Sequence, residues 1–225
     1  MLDIGCVDHR VEWVERSGWL HKDIAAVASF CIGVDLDAAG VEQMNALGYR
    51  AIRHDIMTGV GSLAFHAPFE VVVAGETIEH LPCPQRLLSV ARDLLTPKGL
   101  LVITTPNPYA LHRFRAGLRK SVWESVDHVV YVFPSGIAEM ADRTGFTLEL
   151  ATTLDPPSAK QLLSTWQKSL RLSLVLSLRR RPMPLGRDSH KASLLDVVIA
   201  MLRPMDQAGE TAVYLLRAGT TPDVL

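Results

Sequence analysis

Acidic, histidine and glycine residues follow the ends of several short apolar runs in this chain. In chain order these ends carry Asp3, Gly5 and Cys6, then Asp35 and Leu36, then Asp55 and Ile56, then Glu76 and His80. A glycine lets backbone N–H groups approach a ligand closely. The carboxylate of Asp35 can accept hydrogen bonds from both hydroxyls of a ribose, and that of Asp55 can accept one from an exocyclic amine. The alternative for Asp35 is that it caps a helix starting at Ala38.

Two histidines, His80 and His128, are the candidates for proton transfer. Histidine is the side chain whose ordinary pKa suits acid–base work near neutral pH. His80 lies in the segment GETIEHL, directly after the fourth apolar run, and His128 lies in SVDHVVYVFP, beyond the fifth. The alternatives are structural, with His80 at the start of a helix and His128 as an anchor of its loop through hydrogen bonds.

The elements that must position these residues alternate along most of the chain. Runs rich in Val and Ile are separated by segments in which apolar residues recur at helical spacing. Strands are predicted at 2–5, 30–35, 50–54, 69–74, 99–105, 146–151 and 212–218, and helices at 19–28, 38–47, 84–95 and 135–144, with a turn at 97–99. This alternation is typical of an open, doubly wound, mostly parallel α/β sheet, in which ligands bind at the carboxyl ends of the strands.

Five segments follow one another at these strand ends: LDIGC, GVDLD, HDI, FEVVVAGETIEHL and LTPKGLLVITTPNP. This ordered set resembles the class I S-adenosylmethionine-dependent methyltransferases, and most strongly their type 11/23, quinone-methylase-like branch. The resemblance covers residues 1–154 and the terminal strand. It implies a Rossmann-like sheet of seven strands, the last of them antiparallel. It also implies S-adenosyl-L-methionine as the cofactor and S-adenosyl-L-homocysteine as the product.

The resemblance further implies a role for each residue at the strand ends. The residues that would contact the cofactor are Asp3, Gly5, Cys6, Asp35, Leu36, Asp55, Ile56 and Glu76. The first three would form the loop below the methionine part, and Glu76 would line the methionine end. Asp35 would hold the ribose. Leu36 would lie against the adenine, while Asp55 and Ile56 would contact its edge and its face.

Two departures from the family pattern affect these expectations. The loop after the first strand is usually rich in glycine, whereas here it reads Gly5-Cys6-Val7-Asp8. The family also has a helix before the first strand, which this sequence does not show. The alternative to an active enzyme is therefore a catalytically weak or inactive methyltransferase-like binding or scaffold protein.

The expected function is methyl transfer from S-adenosylmethionine, with O-methylation of a small molecule or of a glycan or lipid precursor. A nicotinamide-dependent oxidoreductase needs GxGxxG after the first strand, and this chain lacks it. A nucleic-acid methylase should carry a DPPY- or NPPY-like tetrad after the fourth strand, where this chain reads AGETIEHL. The formal net charge of −1, from 23 basic and 24 acidic residues, also argues against a nucleic-acid partner.

The cysteine and histidine spacings predict neither a disulfide framework nor a metal site. The three cysteines, Cys6, Cys31 and Cys83, form no CxxC pair, and the eight histidines form no HxxxH or HExxH pair. The sequence shows no signal peptide and no apolar run long enough to span a bilayer. The protein is therefore expected in the cytoplasm.

Residues 156–209 differ in composition from the rest and are predicted to form a helical insertion, or cap, before the last strand. The methyltransferase-like domain would then comprise 1–155 and 210–220. Within the insertion, 162–181 is amphipathic and ends in three arginines. This segment is either a membrane-surface helix or lid over a lipid-linked or anionic substrate, or a cap helix with a solvated basic end.

Overall fold

A seven-stranded sheet organises the part of the chain that the structure describes. The computed structural model describes residues 1–8, 18–110, 113, 125–154 and 210–219. The strands are β1 (Leu2–Ile4), β2 (Ile32–Asp35), β3 (Ala51–Arg53), β4 (Phe69–Gly75), β5 (Leu95–Pro106), β6 (Phe146–Leu154) and β7 (Thr211–Ala218). Their order in the sheet is β3-β2-β1-β4-β5-β7-β6. The first five strands are parallel, whereas β7 runs antiparallel between β5 and β6.

Helices connect these strands and cover the sheet. The described α-helices are α1 (Leu20–Val27), α2 (Ala38–Ala46), α3 (Pro84–Leu94) and α4 (Pro134–Arg143). Short 3-10 helices span Ile56–Thr58, Gly61–Phe65 and Ile78–His80. Outside the predicted insertion 156–209, every strand and α-helix predicted from the sequence is present, with ends that differ by a few residues. The prediction of a doubly wound, mostly parallel sheet of seven strands is confirmed.

The turn predicted at 97–99 is wrong, because these residues belong to β5. The register between β4 and β5 shifts between Phe69 and Val71. The extra residues of β5 form a bulge there, in which Lys98 takes a positive φ of 65°. The Pro-Lys-Gly sequence does bend the chain, but pairing on both sides of the bend keeps it within the sheet.

Apolar side chains explain why the central strands form. Leu2 and Ile4 of β1, like Ile32 and Val34 of β2, are buried. Parallel strands with both faces covered require such continuous apolar runs. The helix α3 adds a buried face with helical spacing, made by Leu87, Leu88, Val90, Ala91 and Leu94. Full burial of one leucine side chain stabilises the fold by about 1.5–3 kcal/mol.

The strand order reverses at β1, which has β2 on one side and β4 on the other. In open α/β sheets such a reversal opens a crevice at the carboxyl ends of the strands, where ligands bind. The order therefore identifies the loops after these strands as the place to look for a site.

The predicted insertion 156–209, with its amphipathic part 162–181, lies outside the described residues. The domain bounds and the membrane-surface contact therefore stay predictions. Among the helices that the structure does describe, none has the length and apolar character needed to cross a membrane.

Candidate functional site

A cavity of about 460 Å³ opens at the carboxyl ends of the central strands. Its walls include all of the residues that the sequence predicted to contact a cofactor: Asp3, Gly5, Cys6, Asp35, Leu36, Asp55, Ile56 and Glu76. His80 also lines the cavity, whereas His128 is not part of its lining but contacts the ring of His80. Ligand pockets usually measure roughly 300–1,000 Å³, so this cavity has the size for a small molecule.

The loop after β1 turns sharply at Gly5. This residue has a φ of 76°, and its N–H donates to the carbonyl oxygen of Val34 at 2.8 Å. A Cβ on Gly5 would overlap Oγ1 of Thr77. That hydroxyl is fixed in turn, because it lies 3.1 Å from the Ile4 carbonyl oxygen and 2.9 Å from that of Gly75. Only a glycine fits here, so the backbone itself forms this part of the cavity wall.

The carboxylate of Asp35 joins the loop after β1 to the end of β2. Its Oδ2 accepts a hydrogen bond from Val7 N–H at 2.9 Å, and its Oδ1 accepts one from Asp37 N–H at 3.0 Å. The residue that caps α2 is Asp37, which accepts from Ala39 N–H, so the alternative role of Asp35 as the cap is wrong. A carboxylate has about four acceptor sites, so both oxygens of Asp35 can accept further bonds from a ligand.

Asp55, Ile56 and Leu36 line another part of the cavity. One oxygen of Asp55 accepts a 2.8 Å hydrogen bond from Met57 N–H, which caps the 3-10 helix that follows. Ile56 is buried, whereas Leu36 is 59% exposed. A carboxylate beside two aliphatic side chains suits a ring that has polar edges and apolar faces.

A buried polar pair, Asp3 and His21, was missed from the sequence. Nδ1 of His21 lies 2.8 Å from Oδ2 of Asp3, and both residues are almost fully buried. Burial raises the pKa of Asp3, while the hydrogen bond from His21 opposes that rise. At the start of α1, Trp19 Nε1 donates to the carbonyl oxygen of Cys6 at 2.8 Å. The region around α1 therefore holds β1 at Asp3 and the loop after β1 at Cys6.

The thiol of Cys6 packs into the interior. The residue is 3% exposed, and its Sγ lies 3.6 Å from Sδ of Met44. Burial raises the pKa of this thiol well above its ordinary value. Because the nucleophile is the thiolate, Cys6 offers the cavity no reactive sulfur.

Glu76 adopts a left-handed conformation at the carboxyl end of β4. Its φ of 46° is uncommon for a residue other than glycine. Its N–H donates to the carbonyl oxygen of Thr104 at 3.0 Å and to Oγ1 of the same residue at 3.1 Å. These bonds stabilise a strained backbone at the cavity wall, and such strain is concentrated at functional sites.

Four residues form a polar border beside the cavity, here called the His80 edge: Glu79, His80, Asp127 and His128. Nδ1 of His80 lies 3.2 Å from the carbonyl oxygen of Asp127 and 3.5 Å from its Oδ2. The rings of His80 and His128 meet edge to face, with centroids 4.9 Å apart. The structure thus brings together the two histidines that the sequence selected separately.

Glu79, like Asp127, is a member of this edge that the sequence analysis did not select. It is 1% exposed, and its Oε2 accepts a 3.0 Å hydrogen bond from Oγ1 of Thr105. Burial raises the pKa of Glu79 to about 7. One carboxylate oxygen of Glu79 and one ring nitrogen from each of His80 and His128 lie within 4.8 Å of one another. Local spacings such as HxxxH could not reveal this set, because His128 comes from a different segment than Glu79 and His80.

Solved structures that resemble this one include SAM-dependent methyltransferases. The SAM-dependent methyltransferase from Archaeoglobus fulgidus superposes with a TM-score of 0.57 at 16% identity, over 96% of this chain and 84% of that one. The S-adenosylmethionine-dependent methyltransferase from Mesorhizobium loti gives 0.51 at 15% identity, over 96% and 89%. The fold is therefore the Rossmann-like methyltransferase fold.

Residues 1–151 match the methyltransferase domain family, and the chain belongs to it. The ubiquinone biosynthesis O-methyltransferase of Psychrobacter arcticus is 26% identical over 162 residues, which are 65% of this chain and 58% of that protein. The protein of the same name from a Caulobacter species is 28% identical over 115 residues, or 48% and 40%. The chain thus spans about half the length of these curated relatives. The resemblance to the type 11/23, quinone-methylase-like branch is confirmed, and S-adenosylmethionine fits this family as the cofactor.

Proposed function

We propose that this protein transfers a methyl group from S-adenosylmethionine to an oxygen of a small molecule or of a glycan or lipid precursor. The observation that carries the proposal is the convergence of the strand-end residues of β1, β2, β3 and β4 on one cavity of about 460 Å³. Membership of the methyltransferase domain family supports it. The O-methyltransferase names of both curated relatives favour oxygen as the acceptor atom.

The adenosine part of the cofactor fits the side of the cavity formed after β2 and β3. Both oxygens of Asp35 can accept from ribose hydroxyls in addition to the backbone N–H groups that already fix them. Leu36 and Ile56 supply aliphatic surfaces for the faces of adenine. Asp55 can accept from the exocyclic amine with the oxygen that does not bind Met57 N–H.

The methionine part fits the side formed after β1 and β4. Asp3, Gly5 and Cys6 shape the loop there, and the missing side chain of Gly5 lets a ligand approach the backbone. Glu76 lines the same cavity and carries a carboxylate suited to an ammonium group. The loop holds one glycine where the family has several, and the Asp35 bond to Val7 N–H fixes it in this conformation.

Bound S-adenosylmethionine supplies an electrophilic methyl group on a sulfonium, whose sulfur keeps the electron pair of the broken carbon–sulfur bond. The chain has to hold the acceptor oxygen in line and to take its proton as the carbon–oxygen bond forms. His80 lines the cavity and is the residue placed to accept this proton. His128 packs on the ring of His80 and keeps it in position.

Calorimetric titration of the purified protein with S-adenosylmethionine, and separately with S-adenosylhomocysteine, tests the proposal. We expect micromolar binding of both, followed by methylation of a hydroxylated acceptor detected as a mass increase of one methyl group. No binding up to millimolar ligand would contradict the proposal and favour the scaffold alternative.

The substitution Asp35→Ala tests the ribose assignment. It should weaken S-adenosylmethionine binding by about 1.5–3 kcal/mol, the range for losing a hydrogen bond to a charged group. Asp93→Ala removes the same charge from an exposed position on α3 and should leave the affinity unchanged. Wild-type affinity in Asp35→Ala would refute the assignment, provided that circular dichroism shows a folded variant.

A further inference from the structure

Three side chains with metal-binding atoms meet at the His80 edge: Glu79, His80 and His128, here called the Glu79 triad. One oxygen and two ring nitrogens of the triad lie within 4.8 Å of one another. Glu79 is buried, and both histidines are half-buried. A carboxylate beside two imidazoles is a ligand set that several divalent metals use in proteins.

Main-chain hydrogen bonds hold the triad together. The N–H groups of Val129 and Val130 both donate to the carbonyl oxygen of Glu79, at 2.9 and 3.2 Å. They join the loop that carries His128 to the 3-10 helix Ile78–His80. Within that loop the N–H of His128 donates to the carbonyl oxygen of Ser125 at 3.2 Å. The backbone therefore determines that the three side chains converge.

Further hydrogen bonds orient two of the three side chains. A carbonyl oxygen can only accept, so the 3.2 Å bond to Asp127 requires the proton of neutral His80 to be on Nδ1 and leaves the lone pair on Nε2. Thr105 donates to Oε2 of Glu79 at 3.0 Å. Histidines and carboxylates that bind metals are held by outer hydrogen bonds of this kind.

Oε1 of Glu79 is a second, independent indication of a ligand. It is fully buried and accepts no hydrogen bond from the residues that the structure describes. Buried oxygens without a partner are rare in folded proteins, and each calls for a physical reason. Coordination to a cation would provide the missing interaction.

We propose that the Glu79 triad binds a divalent transition-metal cation of the class of Mn²⁺, Co²⁺ and Zn²⁺. Ca²⁺ takes oxygen ligands, whereas two imidazoles favour transition metals. Metal–ligand bonds of about 2.0–2.2 Å require the three ligand atoms to approach one another by on the order of 1 Å. Rotation of the side chains of the two half-buried histidines provides this movement. Three protein ligands leave coordination positions open, as in catalytic sites.

The position of the triad indicates the class of acceptor, an inference that rests on the proposed methyl transfer. His80 also lines the cavity, so a cation on its ring stands where the acceptor would enter. A hydroxyl oxygen that donates a lone pair to the cation releases its proton to water more readily. The acceptor is then an alcohol or a phenol. With the cation bound, His80 is a metal ligand, and water takes the proton that His80 accepts in the metal-free protein.

Direct metal titration tests the site without any assay of activity. Protein dialysed against a chelator and then against buffer is titrated with MnCl₂, and the electron paramagnetic resonance signal of free Mn²⁺ is recorded. A parallel titration with CoCl₂ is followed by visible absorption. We expect one ion per chain. Absence of binding up to millimolar metal overturns the proposal. So does a sulfur-to-cobalt charge-transfer band, because it would assign the metal to a cysteine such as Cys31 or Cys83.

Variants assign the bound metal to the triad. Glu79→Gln and His128→Ala should weaken Mn²⁺ binding by more than about 100-fold, and Thr105→Val by roughly 10–100-fold, as for the loss of an outer hydrogen bond. Glu70→Gln and His66→Ala change exposed residues of the same types and should bind as the wild type does. Wild-type affinity in both triad variants overturns the site. If Glu79→Gln fails to fold, the Mn²⁺ affinity of His128→Ala, a substitution in a loop, decides the test by itself.

Titration with S-adenosylmethionine, with and without chelator, separates the two proposals. Cofactor binding by a protein that binds no metal overturns the cation site and leaves the methyltransferase function standing. Triad-dependent metal binding by a protein that binds no S-adenosylmethionine supports the site and overturns the function.

Discussion

The two sides of the cavity are built in different ways. On the side here called the cofactor half, the acidic side chains of Asp35 and Asp55 accept hydrogen bonds from backbone N–H groups next to strand ends. At the His80 edge, a short 3-10 helix and a loop are joined through the carbonyl oxygen of Glu79. The sheet therefore fixes the first set of residues directly, whereas the second depends on contacts between irregular segments.

The two sides also differ in their electrostatics. In the cofactor half the buried carboxyl of Asp3 has a hydrogen-bonding partner in His21. At the His80 edge, burial raises the pKa of Glu79 to about 7, and two histidines lie next to it. A carboxyl whose pKa lies near 7 suits proton transfer or metal binding, while carboxylates held at strand ends suit the recognition of a ligand. The comparison therefore leads us to propose that one side of the cavity recognises the cofactor and the other carries out the chemistry.

The largest effect is expected for His128→Ala. Turnover should fall by roughly 10²–10⁴-fold, the usual contribution of a group that assists proton transfer, while the affinity for S-adenosylmethionine stays the same. Steady-state kinetics with a hydroxylated acceptor and calorimetry measure the two quantities. His66→Ala, at an exposed histidine, is the control. Equal losses of turnover and affinity would show that the two sides do not act separately.

The next largest effect is expected for His21→Ala, which leaves Asp3 buried without its partner. Removing one member of a buried pair costs roughly 3–5 kcal/mol of unfolding free energy, measured by urea denaturation at pH 8. The substitution removes the hydrogen bond and charge that lower the pKa of Asp3, so this pKa rises further above 3.8. Between the pKa of Asp3 in the unfolded state and its higher pKa in the folded state, the folded protein keeps a proton that the unfolded protein has released. The free energy of unfolding therefore falls as the pH rises from the first pKa to the second.

The destabilisation by His21→Ala should therefore be smaller at pH 5 than at pH 8. His66→Ala changes a histidine that is exposed, and its stability should not show this dependence on pH. The same loss at both pH values for His21→Ala would mean that Asp3 does not titrate in this window.

The smallest effects are expected for two glycine substitutions. Comparing them separates the cost of backbone strain from the cost of steric overlap in the cofactor half. Gly48 has a φ of 91° and no atom near the position of a Cβ, so Gly48→Ala should cost about 1–2 kcal/mol through strain alone. Gly5→Ala adds the overlap with Thr77 and should cost about 1–3 kcal/mol more. Urea denaturation gives both values, and calorimetry should show weaker S-adenosylmethionine binding for Gly5→Ala only. Equal losses of unfolding free energy in the two variants would show that the Thr77 side chain can move away from a Cβ at position 5 at no cost.

The cofactor half could be predicted from the sequence because it follows from the sheet. Alternating strands and helices indicate where parallel strands end, and those ends must meet along one edge. Asp3, Asp35, Asp55 and Glu76 were therefore placed together without any knowledge of side-chain contacts. The structure was needed to exclude Asp35 as the cap of the helix that starts at Ala38, because the spacing allowed that alternative and only the contacts show that Asp37 is the cap.

The His80 edge could only be predicted in part. Each histidine was recognised by its chemistry, but their contact depends on hydrogen bonds from Val129 and Val130 that no periodicity encodes. The pairing of His21 with Asp3 was missed for a similar reason. It requires one position of α1 to face the sheet interior, and a short helix with polar residues does not indicate which face that is.

The placement of β7 affects how the protein is made. This strand is the last along the chain but lies between β5 and β6 in the sheet. During synthesis β6 has no neighbour in the described sheet until Thr211–Ala218 have left the ribosome. An unpaired strand edge is a template for association with other chains. The nascent protein must therefore keep two sheet edges protected while 155–210 are translated, and a chain that ends before β7 should aggregate rather than fold.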